Sequence, residues 1–309
     1  MMKYAIISTA VTDEIEHWGS ADPAVMLGGA GTYALAGVKV WTDDVALLTG
    51  VGADFAGKHG GWFEANGLRT EHLLVKAEHT PTTRITYFED GERVETPVYG
   101  PEHYRLMEAS LDEIRASLGP KVKGVYIFKE AIPEFWDDIG QLKRELGFTL
   151  LWEINADSAV FSQVAAVKRI AENVDIFSIN RTEARALLQR ESIDELIAEF
   201  QSWRTPHIFL RDGGRGAYMI GGQRHVHVPP VENVLVADAT GGGNSSSAGV
   251  LYGICEGYSP YDAGVIGSIS ASVCLEQQGV PMKMDRELRE RAVRLFNKMG
   301  RNEHEKSID

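Results

Sequence analysis

The sequence predicts an α/β protein whose central sheet is mostly parallel and which carries a second, smaller β-sheet. Over most of the 309 residues, short apolar runs alternate with longer amphipathic stretches, and strands that alternate with helices in this way indicate βαβ units. Between residues 80 and 100 the pattern changes to two alternating segments around Asp90-Gly91, a strong signal for a tight hairpin. Hydrophobic residues make up 44% of the chain, which at this length is enough for a large core.

The predicted elements of the first hundred residues follow from short apolar runs and from glycine positions. Strands are predicted at residues 4–10 and 45–49, and helices at 32–41 and 55–66. Gly67, directly after the second helix, is a typical helix stop. The alternating segments 82–87 and 92–98 are predicted to pair as the hairpin.

From about residue 105 onward, helices and strands alternate regularly. Helices are predicted at residues 106–118, 135–146, 160–172 and from 182, and strands at 124–128, 148–155, 174–180 and 207–211. In such a sheet the crossover connections are right-handed, and ligands bind beyond the carboxyl ends of the strands. Functional residues are therefore expected at those ends. We expect a single domain over residues 1–300 and a polar tail at 301–309.

Composition and charge argue against several classes of partner and location. The formal charge of −13 disfavours a nucleic-acid partner, because such proteins concentrate Lys and Arg. No stretch reaches the roughly 18 apolar residues of a membrane span, and the N-terminal apolar run soon meets Asp13, so it is predicted to be a strand rather than a signal peptide. Cys255 and Cys274 lack metal-ligand spacing and are expected to be buried thiols. These observations favour a cytoplasmic protein that binds neither nucleic acid nor membranes.

Two glycine motifs approach nucleotide-binding fingerprints without meeting their physical requirements. Residues 29–34 fit the dinucleotide pattern, with Asp54 further along, but that fingerprint needs a strand running directly into the glycines. Pro23 precedes them and the first clear strand lies well upstream, so a dinucleotide-dependent oxidoreductase is only a distant alternative. Residues 52–58 nearly complete a P-loop, but His59 stands where a Ser or Thr hydroxyl must bind Mg²⁺.

The strongest functional signal is the segment DATGGGN at residues 238–244. Three successive glycines let backbone N–H groups approach one point closely, and the N-terminus of the helix that follows adds a partial positive charge. Small residues at 245–249 keep the first turns of this helix narrow enough to pack on a sheet. The segment is predicted to hold a phosphate group, and a plain glycine turn is the alternative.

A second signal lies at Asn180 and Glu183, where a predicted strand ends and a helix begins. Residues three apart project to the same side of the first helical turn, and one carboxylate there can support a hydrated Mg²⁺. The alternative is an ordinary helix cap, in which Asn180 is followed by an acidic third residue. The sequence leaves these two interpretations equal.

The order of these motifs resembles that of the ribokinase-like (PfkB) family of carbohydrate and nucleoside kinases over about residues 4–285. The segments that carry the resemblance are GGAGTYALAGVKVW (28–41), LLTGVGADFAGK (47–58), TPTTRITYFEDGER (80–93), WEIN (152–155), NRTE (180–183), RDGGRGA (211–217) and DATGGGN. The resemblance implies a ribokinase-like three-layer α/β/α sandwich with a small β lid, here from about residues 10–20 and 80–100. It also implies ATP-dependent phosphorylation of a hydroxyl on a small sugar, polyol or nucleoside-like substrate, with Mg²⁺, in many relatives K⁺, and a homodimer through the lid.

The resemblance assigns roles to individual residues. The acceptor is expected near Asp13, Gly28, Gly29, Tyr33 and Asn155. The nucleotide is expected along Asn180, Arg211, Gly213, Gly216, Asp238 and Thr240, with its phosphates in an anion hole formed by Gly241, Gly242 and Gly243. Glu183 would support the metal ion, and Asn244 occupies the position of the family's catalytic base.

Three residues depart from the family pattern. Tyr33 replaces a sugar-contacting Asn, Glu153 replaces the Asp of a strand-end motif, and Asn244 replaces the catalytic Asp. The first two changes suggest an unusual acceptor. An amide cannot accept the hydroxyl proton, and loss of a general base costs about 10²- to 10⁴-fold in rate. We therefore predict a kinase that is slow or that uses another carboxylate, such as Asp13 or Asp238. A non-catalytic binding protein and an introduced substitution are the alternatives.

Overall fold

The computed structural model describes residues 2–16, 18–19, 23–89 and 93–306. The strands are β1 Tyr4–Ile7, β2 Val11–Glu16, β3 Ala24–Gly28, β4 Val45–Gly52, β5 Leu73–Ala77, β6 Thr82–Tyr87, β7 Arg93–Pro97, β8 Gly124–Lys129, β9 Thr149–Ile154, β10 Ile176–Asn180, β11 His207–Arg211, β12 Ala217–Gly221 and β13 Arg224–Val228. The helices are α1 Ala30–Lys39, α2 Phe55–Ala65, α3 Pro101–Leu106, α4 Leu111–Ser117, α5 Pro133–Leu146, α6 Val164–Ala171, α7 Arg181–Leu188, α8 Ile193–Gln201, α9 Gly242–Cys255, α10 Pro260–Leu275 and α11 Arg286–Lys306.

The large sheet has the strand order β13-β12-β11-β10-β9-β8-β1-β4-β5. The strands from β11 to β5 are parallel, and β12 and β13 continue the sheet in antiparallel pairing. One hydrophobic core joins a face of this sheet to α4 through α8, and a second core joins the other face to α1, α2 and α9 through α11. This arrangement confirms the predicted three-layer α/β/α sandwich.

The smaller sheet has the order β3-β2-β6-β7. Strands β2 and β6 are parallel, whereas the other two pairs are antiparallel, which confirms that β6 and β7 form a hairpin. Its predicted turn at Asp90-Gly91 lies outside the described residues. Strand β3 was not predicted, so the expectation that no strand precedes the first glycine motif is wrong. Because β3 pairs antiparallel with β2 in the small sheet, it still builds no dinucleotide-binding βαβ unit.

The helices differ from prediction where local capping intervenes. The helix predicted at 106–118 is shorter in the structure, because α3 ends at Leu106 and the capping box of Ser110 and Glu113 starts α4 only at Leu111. Helix α11 continues through Lys306 into the predicted polar tail, and residues 307–309 lie outside the described part of the chain. Among the described residues, no helix has the length and apolar character that a membrane crossing requires.

Strand order and register place the polar strand ends at one edge of the large sheet. Strand β1 lies between β4 and β8, so the order of connections reverses there, and this is where ligands bind in open α/β sheets. Glu153 near the end of β9 pairs with Ser178 of β10, and Asn180 pairs with Arg211 of β11. Three of the predicted motifs therefore meet at this edge.

Candidate functional site

The glycine turn at residues 241–243 starts α9 and is shaped by two large neighbours. Gly241 caps the helix with a φ of 76°, a conformation that favours glycine. A Cβ on Gly241 would overlap the ring of Tyr33, and a Cβ on Gly243 would overlap Nη1 of Arg211. The backbone N–H groups of the first turn have no partners within the helix, so this turn can bind an anion.

Asn244 follows in the same turn and joins a buried hydrogen-bond network with Tyr126, Glu153 and Arg211, here called the Asn244 network. Its Nδ2 donates to the Tyr126 hydroxyl and to Glu153 Oε1, each at 3.2 Å. The Tyr126 hydroxyl donates to Glu153 Oε2 at 2.9 Å, and Arg211 Nη1 lies 3.0 Å from Glu153 Oε1. Glu153 is only 2% exposed. Burial, with the nearby Glu153 charge, raises the pKa of Tyr126 well above its ordinary value, so this hydroxyl stays a donor.

Glu183 lies on the other side of the Arg211 guanidinium. Asn180 and Glu183 form a complete capping box, with bonds of 2.9 Å in both directions. Arg211 Nη2 is 3.8 Å from Glu183 Oε2. Burial raises the pKa of Glu183, although Arg211 and the cap oppose this effect. The helix cap considered as an alternative is therefore present, while the metal-supporting role stays a prediction.

The remaining predicted nucleotide residues lie in two turns. Gly213 and Gly216 have φ values of 57° and 90° in the turn after β11, and a Cβ on Gly216 would overlap the Val228 carbonyl oxygen. In the segment before α9, the Asp238 carboxylate accepts a hydrogen bond of 2.9 Å from the Thr240 N–H. These contacts order both turns.

The predicted acceptor residues fall into two groups. Asp13, Gly28, Gly29 and Tyr33 lie where the small sheet meets α1, and the Asp13 carboxylate fills the space that a Gly28 side chain would need. Tyr33 is 3% exposed. Burial raises the pKa of its phenol, and the charges of Asp238 and Asp13 act in the same direction. Tyr33 thus lies between the predicted acceptor and nucleotide sides.

Asn155 instead lines a cavity of about 430 Å³ at the carboxyl ends of β1, β8 and β9. The predicted acceptor residues Asp13, Gly28, Gly29 and Tyr33 do not line it. The other polar or aromatic lining residues include Ser8, Thr9, Tyr104, Phe128 and Lys129. The buried Ser8 hydroxyl finds no hydrogen-bond partner among the described residues. Ser8 and Tyr126 were not predicted as functional, because both look like ordinary residues at or within buried strands.

Comparison with known proteins identifies relatives of the whole fold. The model of the pfkB family of carbohydrate kinases matches residues 20–285. A nucleoside kinase of Methanothermobacter thermautotrophicus is 24% identical over 82% of this chain and 79% of its own. The crystal structure of a Methanocaldococcus jannaschii nucleoside kinase superposes with a TM-score of 0.70 at 21% identity, covering 96% of this chain and 99% of that one. An Arabidopsis thaliana ribokinase complexed with ribose and ATP gives 0.74 at 16% identity, covering 96% and 99%.

Proposed function

Because this chain belongs to the pfkB family of carbohydrate kinases, we propose that it transfers the γ-phosphoryl group of ATP to a hydroxyl of a small sugar, polyol or nucleoside. The observation that carries the proposal is the glycine turn at 241–243, with the Arg211 guanidinium packed against Gly243. Phosphoryl transfer depends mainly on positioning and on neutralising charge. Backbone N–H groups without a partner inside the helix, a helix N-terminus and a fixed cation supply both at one point.

The single carboxylate of Glu183 fits a magnesium ion that arrives with the nucleotide. Within the described residues, no group of three or more His, Cys, Asp or Glu side chains is placed to hold a metal. Mg²⁺ commonly uses one or two carboxylates together with phosphates and water, and Glu183 is one such carboxylate beside the glycine turn. Bound Mg²⁺ would neutralise phosphate charge. The use of K⁺ and a homodimer through the small sheet remain proposals.

The second candidate function is ligand binding without turnover, and Asn244 is the observation that favours it. An amide has no basic site for the acceptor's proton, and the family base is missing at this position. Asp13 and Asp238 are the alternative bases considered from the sequence. Each lies near Tyr33, where its charge helps to raise the pKa of the phenol.

The test is ADP release from Mg-ATP over a panel of sugars, polyols and nucleosides, with nucleotide binding measured separately by calorimetry. The native protein and Asn244→Asp are compared, and Asn173→Asp, an exposed change of the same charge, is the control. Turnover of one acceptor by the native protein supports the kinase. Nucleotide binding without turnover of any acceptor by the native protein supports the binding protein, whether or not Asn244→Asp turns over. Absence of nucleotide binding by all three proteins contradicts both.

A further inference from the structure

The Asn244 network determines which end of the Asn244 amide faces the cleft. Glu153 Oε1 and the Tyr126 oxygen are both acceptors at this point, because the Tyr126 hydrogen is already donated to Glu153 Oε2. An ionised carboxylate accepts hydrogen bonds and donates none. Only an N–H group of residue 244 can satisfy both oxygens, and Nδ2 lies 3.2 Å from each. The hydrogen-bond chemistry therefore excludes the flipped amide.

Arg211 keeps Glu153 in the acceptor form on which this orientation depends. The carboxylate is almost fully buried, and a buried charge persists where it is paired and hydrogen-bonded. Arg211 Nη1 at 3.0 Å supplies the pair. Tyr126 and Asn244 supply the hydrogen bonds, so both carboxylate oxygens have partners.

The orientation leaves Oδ1 as the outward atom of the amide. Oδ1 and Nδ2 are the two ends of one planar group, and Nδ2 faces the buried Glu153 and Tyr126. Asn244 itself is only partly buried. We infer that Glu153 is a positioning residue, which fixes the Asn244 amide so that Oδ1 accepts a hydrogen bond from the attacking hydroxyl of the acceptor. This inference rests on the proposed kinase function.

The reaction then balances without a protein base. The acceptor oxygen forms a bond to the γ-phosphorus, and the bond from that phosphorus to the β–γ bridging oxygen breaks, with its electron pair leaving on ADP. The hydroxyl proton passes to a non-bridging oxygen of the transferred phosphoryl group. In a loose transition state the attacking oxygen has formed little bond to the phosphorus, so the hydroxyl does not have to lose its proton before the transfer. Asn244 Oδ1 orients the hydroxyl, and Glu153 holds Asn244.

The same network predicts that Asn244→Asp, which restores the family aspartate, does not by itself give the full rate of phosphoryl transfer. Asn244→Asp would place a second carboxylate beside Glu153, and like charges at this separation strongly disfavour double ionisation. The double variant Glu153→Gln/Asn244→Asp exchanges the amide and the carboxylate. It keeps the net charge, and it presents a carboxylate oxygen where native Oδ1 stands.

The kinetic test compares the native protein with Glu153→Gln, Asn244→Asp and the double variant, with Glu145→Gln on the surface as control. Glu153→Gln allows either amide orientation. We expect its kcat to fall about tenfold or more, the rate equivalent of losing one hydrogen bond to a charged group, with KM for ATP unchanged. The double variant should recover at least the native kcat and exceed Asn244→Asp. A kcat for Glu153→Gln within twofold of native would overturn the inference.

A second measurement separates this inference from the proposed function. In protein labelled with ¹⁵N-asparagine, the side-chain amide signal of Asn244, assigned through the Asn244→Asp variant, reports its hydrogen bonds without any turnover. We expect slow hydrogen exchange in the native protein, and faster exchange with a shifted signal in Glu153→Gln. If no variant turns over but this change is seen, the kinase proposal fails while the positioning by Glu153 stands. An unchanged Asn244 signal contradicts the positioning itself.

Discussion

At the scale of single residues, Gly243 shows why a motif can have more than one physical cause. The sequence predicts that its three glycines let a backbone approach phosphate closely. The structure adds that Gly243 also makes room for Arg211, whose guanidinium lies between Glu153 and Glu183. The absence of a side chain at residue 243 therefore supports the proposed orientation of Asn244 as well as the proposed anion hole.

Gly243→Ala should destabilise the protein by about 1–3 kcal/mol, because the added Cβ overlaps Nη1 of Arg211 and overpacking of a tight site costs about that much. Urea unfolding measures the change. The control is Gly57→Ala in α2, where nothing lies within 4 Å of the added Cβ. That substitution should stabilise the helix by about 0.5–1 kcal/mol. Equal effects of the two substitutions would show that Arg211 does not depend on Gly243.

At the scale of elements, the P-loop-like segment at residues 52–58, which runs into α2, has a structural role. Asp54 accepts hydrogen bonds of 2.7 Å from the Thr80 N–H and hydroxyl, and Lys58 pairs with Asp54 at 3.0 Å. His59 is buried and lies 2.8 Å from the Thr12 hydroxyl of β2. These contacts connect α2 to the base of the small sheet, and they occupy the polar groups that a phosphate or a ribose would need.

This connection predicts a pH dependence of stability. Burial, assisted by Lys58, lowers the pKa of His59 to about 4, so between pH 4 and about 6.5 the unfolded chain binds a proton that the folded protein does not. The contribution of His59 to the free energy of unfolding should be fully present above that range. It should decline by up to about 3 kcal/mol as the pH falls through the range. His59→Gln should flatten this decline in unfolding experiments. His225→Gln, at an exposed position, is the control, and an equal slope in both variants contradicts the assignment.

At the scale of the whole molecule, the large sheet separates two cores and supports the site at its edge. Trp152 of β9 is fully buried, with its ring 4.9 Å from the rings of both Trp136 and Phe177. Its Nε1 donates to the Lys129 carbonyl at 2.9 Å. Because Glu153 is the next residue of the strand, its side chain points to the opposite face of the sheet. The packing of Trp152 in one core therefore sets the position of the buried carboxylate on the other face.

Trp152→Ala should lower the free energy of unfolding by about 3–5 kcal/mol, since it removes a large side chain from a site with little freedom to collapse. That is a large part of the stability of an ordinary domain. The comparison is Trp18→Ala, whose ring is 66% exposed and whose loss should change stability by about 0.5 kcal/mol or less. Denaturant unfolding of both variants measures the difference, and a small effect at Trp152 would contradict its place in the core.

Several features were accessible from the sequence because they are local. The parallel α/β order, the hairpin of β6 and β7 and the turn before α9 all follow from patterns of a few adjacent residues. Strand β3 was missed because it is short and half-exposed, and follows Pro23. The predicted acceptor residues were expected in one place, and Asn155 lines a cavity whose lining does not include the other four.

The sequence by itself determined the layers of this protein, the order of its motifs and the identity of the residue at the position of the family base. Apolar periodicity and glycine placement are carried by neighbouring residues and need no knowledge of the fold. Only the tertiary structure decided what surrounds Asn244. Its partners Glu153 and Tyr126 are 91 and 118 residues away, and they reach it through strand register and the packing of α9 on the sheet. Such contacts have no local pattern, because they depend on the relative positions of separate elements.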